Sequence, residues 1–391
     1  MRKMTRNAMA LAVGATMATA AAAADPGAFS TSGYFRAGTG TASKGNARAC
    51  YGLAGAGLKY RLGNECDIYG EIDLATAFKS DAVEYSVHVM PTLWNPGTDN
   101  GSATWGLGQM YVEGKGYDFA PGTKFWAGKR YYGRADIHIN DTKYTVEDGV
   151  GGGAYGIDLG IGKLGIAYFR DDGDGTTPMN RVNVELGEMN VNSGGKLRLV
   201  TAFTSANFEG GKSGSAVTLQ HDQSGFLGLG GGNTAWLQYA QGSANLNTNF
   251  GNATAGSDVK GWRLTDAFTW QVGAFGGQAM ASYAQNKANT GDSTLATVGG
   301  RVSYALTKDF KLVTEAGYSQ LKPEGQAAQK LAKLTIAPTI AAGPGFWNRP
   351  ELRLYATSAK WNDPAAANAA NGLPTGKTTG TSVGVQVEMW W

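Results

Sequence analysis

The sequence predicts an all-β fold, an antiparallel β-barrel that crosses a membrane with its strands. Three observations predict it. The N-terminus has the form of an export signal. Two-residue alternation recurs down the chain with charged groups on one face. The connections divide into short turns and long loops.

The first element is the signal. Arg2, Lys3 and Arg6 precede an alanine-rich apolar stretch at residues 8–23, with several A-x-A frames before Asp25. That is the order of charge, apolar segment and small residues that marks a secretory signal. It falls short of the roughly 20 strongly apolar residues that a helical span needs. Residues 1–24 are therefore expected to be removed, leaving residues 25–391 as one mature unit. The chain carries 34 Lys and Arg against 31 Asp and Glu. Three of the basic residues lie in the signal, so the mature chain is balanced. Nothing points to nucleic acid, and no cofactor is expected.

The strands come next, and short windows are enough to show them. Tyr34 and Arg36 oppose Phe35 and Ala37. In Ile68-Tyr69-Gly70-Glu71-Ile72-Asp73-Leu74, the isoleucines and the leucine share one face, while Tyr69, Glu71 and Asp73 share the other. In Glu351-Leu352-Arg353-Leu354-Tyr355-Ala356-Thr357, Leu352, Leu354 and Ala356 oppose the polar set. The last nine residues place Val383, Val385, Val387, Met389 and Trp391 on one face and Gln386, Glu388 and Trp390 on the other. A packed soluble core rejects so many inward charges unless they are densely paired. A water-filled lumen accepts them, and the apolar face then meets lipid, with a terminal ring at the interface.

The connections complete the pattern. Between Tyr304 and Leu312 there is room for a tight turn only. Residues 241–257, 364–381 and 91–108 are long and rich in Gly, Asn, Thr and Ser. Short turns on one side and long loops on the other suit an outer-membrane barrel. At about 20 residues per strand and connection, the chain holds roughly 18 strands, a division that does not separate 16 from 18. Cys50 and Cys66, in an exported chain, favour a disulfide near the first long connection. His88, His138 and His221 are too widely spaced for a zinc signature and read as exposed or loop residues, so no metal is expected.

Several blocks resemble the maltoporin family. They are Gly33-Tyr34-Phe35-Arg36, the run Lys59-Tyr60-Arg61-Leu62-Gly63-Asn64-Glu65-Cys66, and Trp126-Ala127-Gly128-Lys129-Arg130-Tyr131-Tyr132. Asp136-Ile137-His138, Trp347-Asn348-Arg349-Pro350, Ala359-Lys360-Trp361 and the terminal Glu388-Met389-Trp390-Trp391 extend the likeness over almost the whole mature chain. The resemblance implies an 18-stranded barrel in the outer membrane of a Gram-negative bacterium, surrounded by outer-membrane lipid and assembled as a homotrimer with one pore per subunit. It implies facilitated diffusion of maltose, malto-oligosaccharides or related sugars, with no enzyme activity. In this family a track of aromatic rings stacks on the apolar faces of successive sugars, while charged groups opposite exchange hydrogen bonds with hydroxyls.

Carried over residue by residue, the track is expected at Tyr34, Tyr69, Trp347 and Trp390. A tryptophan reaching over from a neighbouring subunit is expected in the loop after Val89, with Trp94 the first candidate and Trp105 the second. The polar track carries over as Arg36, Arg61, Glu71, Arg134, Asp136 and Asp141. For the aromatics the plainer alternative is an interface girdle or wall packing, and for the charges a ladder that sets ion preference only.

Three positions depart from the family. Its constriction tyrosine aligns with Lys143, although a one-residue slip would put Tyr144 there. One track aromatic aligns with Val217, which would interrupt the track. A family arginine aligns with Gly108. The expectation is a sugar-selective porin with weakened or shifted preference and more anion attraction at its waist. The alternative is a general diffusion porin without saturable sugar binding. A soluble exported enzyme or lectin is the third class, and no G-x-S-x-G block or Cys–His constellation supports it. The nearby carboxylates Glu71 and Asp73 are simply neighbours on one strand face.

Overall fold

Period-two alternation becomes eighteen antiparallel strands in a closed barrel. The computed structural model describes residues 29–43, 46–47, 49–97, 102–289, 291–367 and 376–391. The expected signal, residues 1–24, lies outside them. Closure is made by the first strand, Phe29–Ala42, which pairs on one edge with Ile68–Ser80 and on the other with the last strand, Thr379–Trp390. Arg36 thus stands opposite both Tyr69 and Glu388. Every other barrel strand pairs with the barrel strands before and after it, so the wall has no unpaired strand edge.

The alternation resolves into an inside and an outside. Leu354 is 59% exposed while Arg353 beside it is 3% exposed, the inverse of a soluble core. Ile72, Leu74, Val383 and Val385 are exposed on the same outer wall, which in a bilayer meets lipid. No helix among the described residues is long and apolar enough to cross a membrane.

The connections follow the expected asymmetry. Residues 81–82, 118–119, 193–194, 273–274 and 306–309 are short turns at one end, and residues 43–67, 131–148, 243–259 and 362–378 are long connections at the other. One expectation needs correction. The connection expected over residues 91–108 shrinks to 96–103, because strands Val83–Asn95 and Thr104–Tyr117 run into it from both sides. A bulge at Gly108, between the pairs Met90–Gln109 and Pro91–Leu107, disguises the alternation there.

Two long connections fold into the barrel and fill much of it. The first is tied by a Cys50–Cys66 disulfide with Cα atoms 5.8 Å apart. Within it Tyr51 packs edge-on against Trp361, and Leu62 joins Val313, Ala337 and Tyr355. Gly299 and Gly317 leave room for the Tyr60 ring, which a Cβ at either position would strike. The second, residues 131–148, forms a small hairpin of Ala135–Ile137 and Thr142–Thr145. Its Ile137, Ile139 and Tyr144 pack on Trp236 and Met280. The two segments also hold each other, since the Arg61 amide donates to the Ile139 carbonyl at 3.1 Å.

Candidate functional site

The wall opposite these segments is where the candidate residues converge. Strand parity turns Tyr34, Tyr69 and Trp390 inward, and register sets them side by side. Tyr34 faces Trp390 across one strand pair and Glu71 across the other. The rings of Tyr34 and Tyr69 are 6.2 Å apart, and those of Trp347 and Trp390 are 6.3 Å apart. Trp347 comes from the turn between strands Gln329–Ala341 and Glu351–Trp361, not from a strand. The row therefore begins at the loop end with Tyr69 and descends through Tyr34 and Trp390 to Trp347 at the turn end.

Trp94 extends the row upward and departs from its expected location. It lies on a strand rather than in a loop, directly opposite Tyr69, facing the lumen of its own barrel. Its indole N–H donates to Asp67 at 3.3 Å. Trp105 pairs with Leu93 on the outer wall and is 72% exposed there.

Three of the rings carry a guanidinium. Arg36 lies over Tyr69 at 5.5 Å, Arg61 over Tyr34 at 5.9 Å and Arg349 over Trp390 at 4.0 Å. The guanidiniums are themselves pinned. Arg36 forks onto Asp67 with bonds of 2.9 and 2.8 Å. Arg61 donates to Glu65 at 2.5 Å and lies 3.2 Å from Glu388. Arg349 pairs with Glu388 at 3.2 Å and Glu351 at 3.0 Å. Groups fixed in this way lose little further side-chain entropy when they donate to a bound molecule.

The in-folded segment 131–148 supplies most of the remaining charges, and Glu71 comes from the wall strand Ile68–Ser80. Asp141, in a left-handed turn conformation (φ 57°), lies 3.9 Å from Arg36 and 3.8 Å from Arg61. Arg134 forks onto Asp148 and lies 3.2 Å over the Tyr131 ring. Glu71 accepts from the Tyr69 hydroxyl at 2.6 Å. Asp136 pairs with Lys143 across the hairpin.

Burial sets the ionisation of the hairpin and its neighbours. It pushes Asp136 up to about 6, more than Arg61, Lys143 and Arg134 draw it down, with Asp141 adding to the rise. Burial alone would also raise Glu65, but Arg61, Lys59 and Arg36 outweigh it and hold that carboxyl at about 2. His138 is kept neutral to about 3 by burial, in spite of Glu388 nearby. Its ring stands edge-on to both Trp347 and Trp390, 5.5 and 5.4 Å away.

The three departures are resolved differently. Lys143 is exposed on the hairpin, 5.9 Å from the Tyr131 ring. Tyr144 is 1% exposed and stacks on Trp236 at 5.1 Å, so its ring is buried between the hairpin and the wall and does not line the open passage. Val217 pairs with Tyr239 on the outer face, where the buried Ala216 and Thr218 mark the inner one. It therefore interrupts no lumenal track. Above Gly108 stands the hydroxyl of Tyr131, 2.7 Å from where a Cβ would be.

Sequence reasoning missed several participants. Arg349, Asp67 and Tyr131 lie within or beside the blocks that carried the resemblance, yet nothing in one sequence marks them as partners of a ring. His88 differs from the expected exposed or loop position. It is 4% exposed on a strand, 2.8 Å from Asp73 and stacked on Tyr111.

A family model described as LamB porin matches residues 29–391. Among solved structures, the chain is similar to an anion-selective porin from Comamonas acidovorans at 12% identity, covering 93% of this chain and 100% of that one, with a TM-score of 0.49. It is similar also to OmpT, an outer membrane protein of Vibrio cholerae in its trimer form, at 10% identity, 93% and 100% coverage and a TM-score of 0.44. A mutant of the Rh. blastica porin matches at 11% identity, with the same coverage and a TM-score of 0.45.

Proposed function

The chain belongs to the LamB porin family, and from that premise we propose that this outer-membrane channel passes maltose, malto-oligosaccharides or related sugars along the row Trp94, Tyr69, Tyr34, Trp390 and Trp347. One observation carries the reading. The inner wall away from the row is sealed by the in-folded segments, with Thr218, Gln238, Thr265, Arg301, Glu315 and Thr335 all at 2% exposure or less. What stays accessible is a strip with Trp94, Tyr69 and Trp390 along the wall, Arg36 over Tyr69, the Tyr34 ring 9% exposed beside them, and Asp141, Lys143 and Arg134 facing the strip from the in-folded segment.

The chemistry suits a sugar. A pyranose offers apolar C–H faces to rings and an equatorial belt of hydroxyls to fixed charges. Ring pairs 6.2 and 6.3 Å apart give overlapping weak sites, so a chain of sugars advances without a deep trap. Lys143 at the hairpin adds a cation where the passage is narrowed, favouring anions among small ions. The working unit is a homotrimer of such pores, as the family implies. Trp94 serves its own pore rather than a neighbour's.

Single-channel current titrated with maltose, maltotriose, longer maltodextrins and sucrose tests the proposal. Saturable blockage that tightens with maltodextrin length is expected. Steady conductance under every sugar would identify a general diffusion porin.

A further inference from the structure

The outer wall carries a second site, at its loop end. A recess of about 530 Å³ lies over five neighbouring strands, lined by Tyr239, Trp262, Gln285, Lys260, Lys287 and Lys322. Register makes one continuous row of Tyr239, Trp262, Gln285, Thr294 and Lys322. These side chains face away from the lumen, because Gln238, Thr265 and Ala284 on the same strands are the buried set.

The row is amphipathic along the barrel axis. Trp262 donates its indole N–H to Gln285 at 3.0 Å, Gln285 donates to the Tyr283 hydroxyl at 3.0 Å, and the Trp262 and Tyr283 rings are 5.5 Å apart. Toward the middle of the barrel, Leu264 and Val298 are 52% and 54% exposed. Polar tips up and apolar faces down are the arrangement of rings at a membrane interface.

Charge is unbalanced just above those rings. Lys260 and Lys287 stand directly opposite each other on adjacent strands, a like-charge pair that disfavours the sheet unless an anion intervenes. The ion-paired lysines among the described residues are others: Lys59, Lys124, Lys163, Lys308, Lys311 and Lys333. Two carboxylates share the rim, Asp292 and Glu324. Glu324 is occupied in part by the Asp292 amide, which donates to it at 3.2 Å.

Long loops face the outside of the cell and short turns the periplasm, so this recess sits at the outer leaflet. We propose that it binds the phosphorylated sugar headgroup of an outer-leaflet glycolipid of the lipid A class. Lys260, Lys287 and Lys322 hold the phosphate, and the acyl chains run down past Trp262, Leu264 and Tyr283. The exposed hydrocarbon-facing rings below the lysines select a lipid over a free anion.

Native mass spectrometry of the purified full-length porin in detergent tests the assignment, with bisphosphorylated lipid A, dephosphorylated lipid A, phosphatidylethanolamine and inorganic phosphate as probes. Wild-type protein is expected to retain bisphosphorylated lipid A on the order of tenfold better than the other three, the ratio that about 1.4 kcal/mol of differential binding gives. The combined variant Lys260→Gln, Lys287→Gln and Lys322→Gln should lose that preference while keeping wild-type single-channel conductance, which shows that the barrel is folded. Lys308→Gln, at the opposite end, should change nothing. The proposal is overturned by equal retention of dephosphorylated lipid A, by undiminished binding in the triple variant, or by inorganic phosphate displacing the lipid. Chain-to-chain cross-linking through a cysteine placed at Gln285 would overturn it too, since a second subunit would then cover the recess.

Discussion

The Tyr34 hydroxyl accepts a hydrogen bond from Arg61 at 2.5 Å and donates one to Glu388 at 3.1 Å, so a strand ring, a loop guanidinium and the last strand form one chain. The in-folded segment thereby fixes the middle of the aromatic row. Tyr34→Phe keeps the ring and removes the link, at a cost of about 1 kcal/mol to stability. Sugar affinity is expected to stay close to wild type in a bilayer titration, and heat-induced unfolding on a gel should shift to lower temperature.

Removing a ring is a different test. Tyr69→Ala or Trp390→Ala should each weaken maltotriose blockage about fivefold, corresponding to about 1 kcal/mol of stacking. Phe203→Ala, on the outer wall, is the matched control and should leave blockage unaltered. Equal effects at all three positions would sink the track.

Lys143 and Tyr144 are adjacent yet separately placed, one exposed on the hairpin and the other buried against Trp236. Lys143→Ala should move the reversal potential in a potassium chloride gradient toward cation preference. Tyr144→Ala should instead lower thermal stability, by about 3 kcal/mol for a large buried ring. A selectivity shift from Tyr144→Ala with no loss of stability would reverse the assignment.

Asp136, raised to about 6 by burial, gives the pore a pH dependence. Below that value the carboxyl is neutral and the Lys143 charge stands without it, Arg134 being held by Asp148 throughout; above it, a negative charge offsets Lys143. Anion preference should therefore be greater at about pH 5 than at about pH 7.5, and Asp136→Asn should flatten the profile at its acid-side level. Because the folded value lies above the ordinary carboxylate range, stability falls as pH rises from about 4 to about 6 and levels beyond. Asp136→Asn should remove that decline in thermal denaturation.

The disulfide closes the segment that carries Tyr60, Arg61 and Glu65. Cys50→Ser with Cys66→Ser frees a loop whose closure is worth about 3 kcal/mol. The barrel's strand ladder does not depend on it, so the expected outcome is a folded barrel with larger, noisier single-channel current. Unchanged current would mean that packing at Leu62 and Tyr51 holds the segment unaided.

By itself the sequence determined the strands, their inner and outer faces where alternation is unbroken, the order of turns and loops, the disulfide partners and the family. These are local properties, set by a side-chain period of two and by which residues follow one another. It placed Tyr34, Tyr69 and Trp390 on the inner face because each lies in a clean alternating run. Only the tertiary structure decided what depends on register counted across the barrel or on loops returning to it. A bulge at Gly108 hid the strand Thr104–Tyr117 that pairs with the one carrying Trp94, and one residue of parity put Val217 outside. Arg61 comes to Tyr34 from 27 residues away, and Asp67 comes to the guanidinium of Arg36 from 31. Such meetings are fixed by how two long segments pack inside a closed wall, and no periodicity along the chain encodes them.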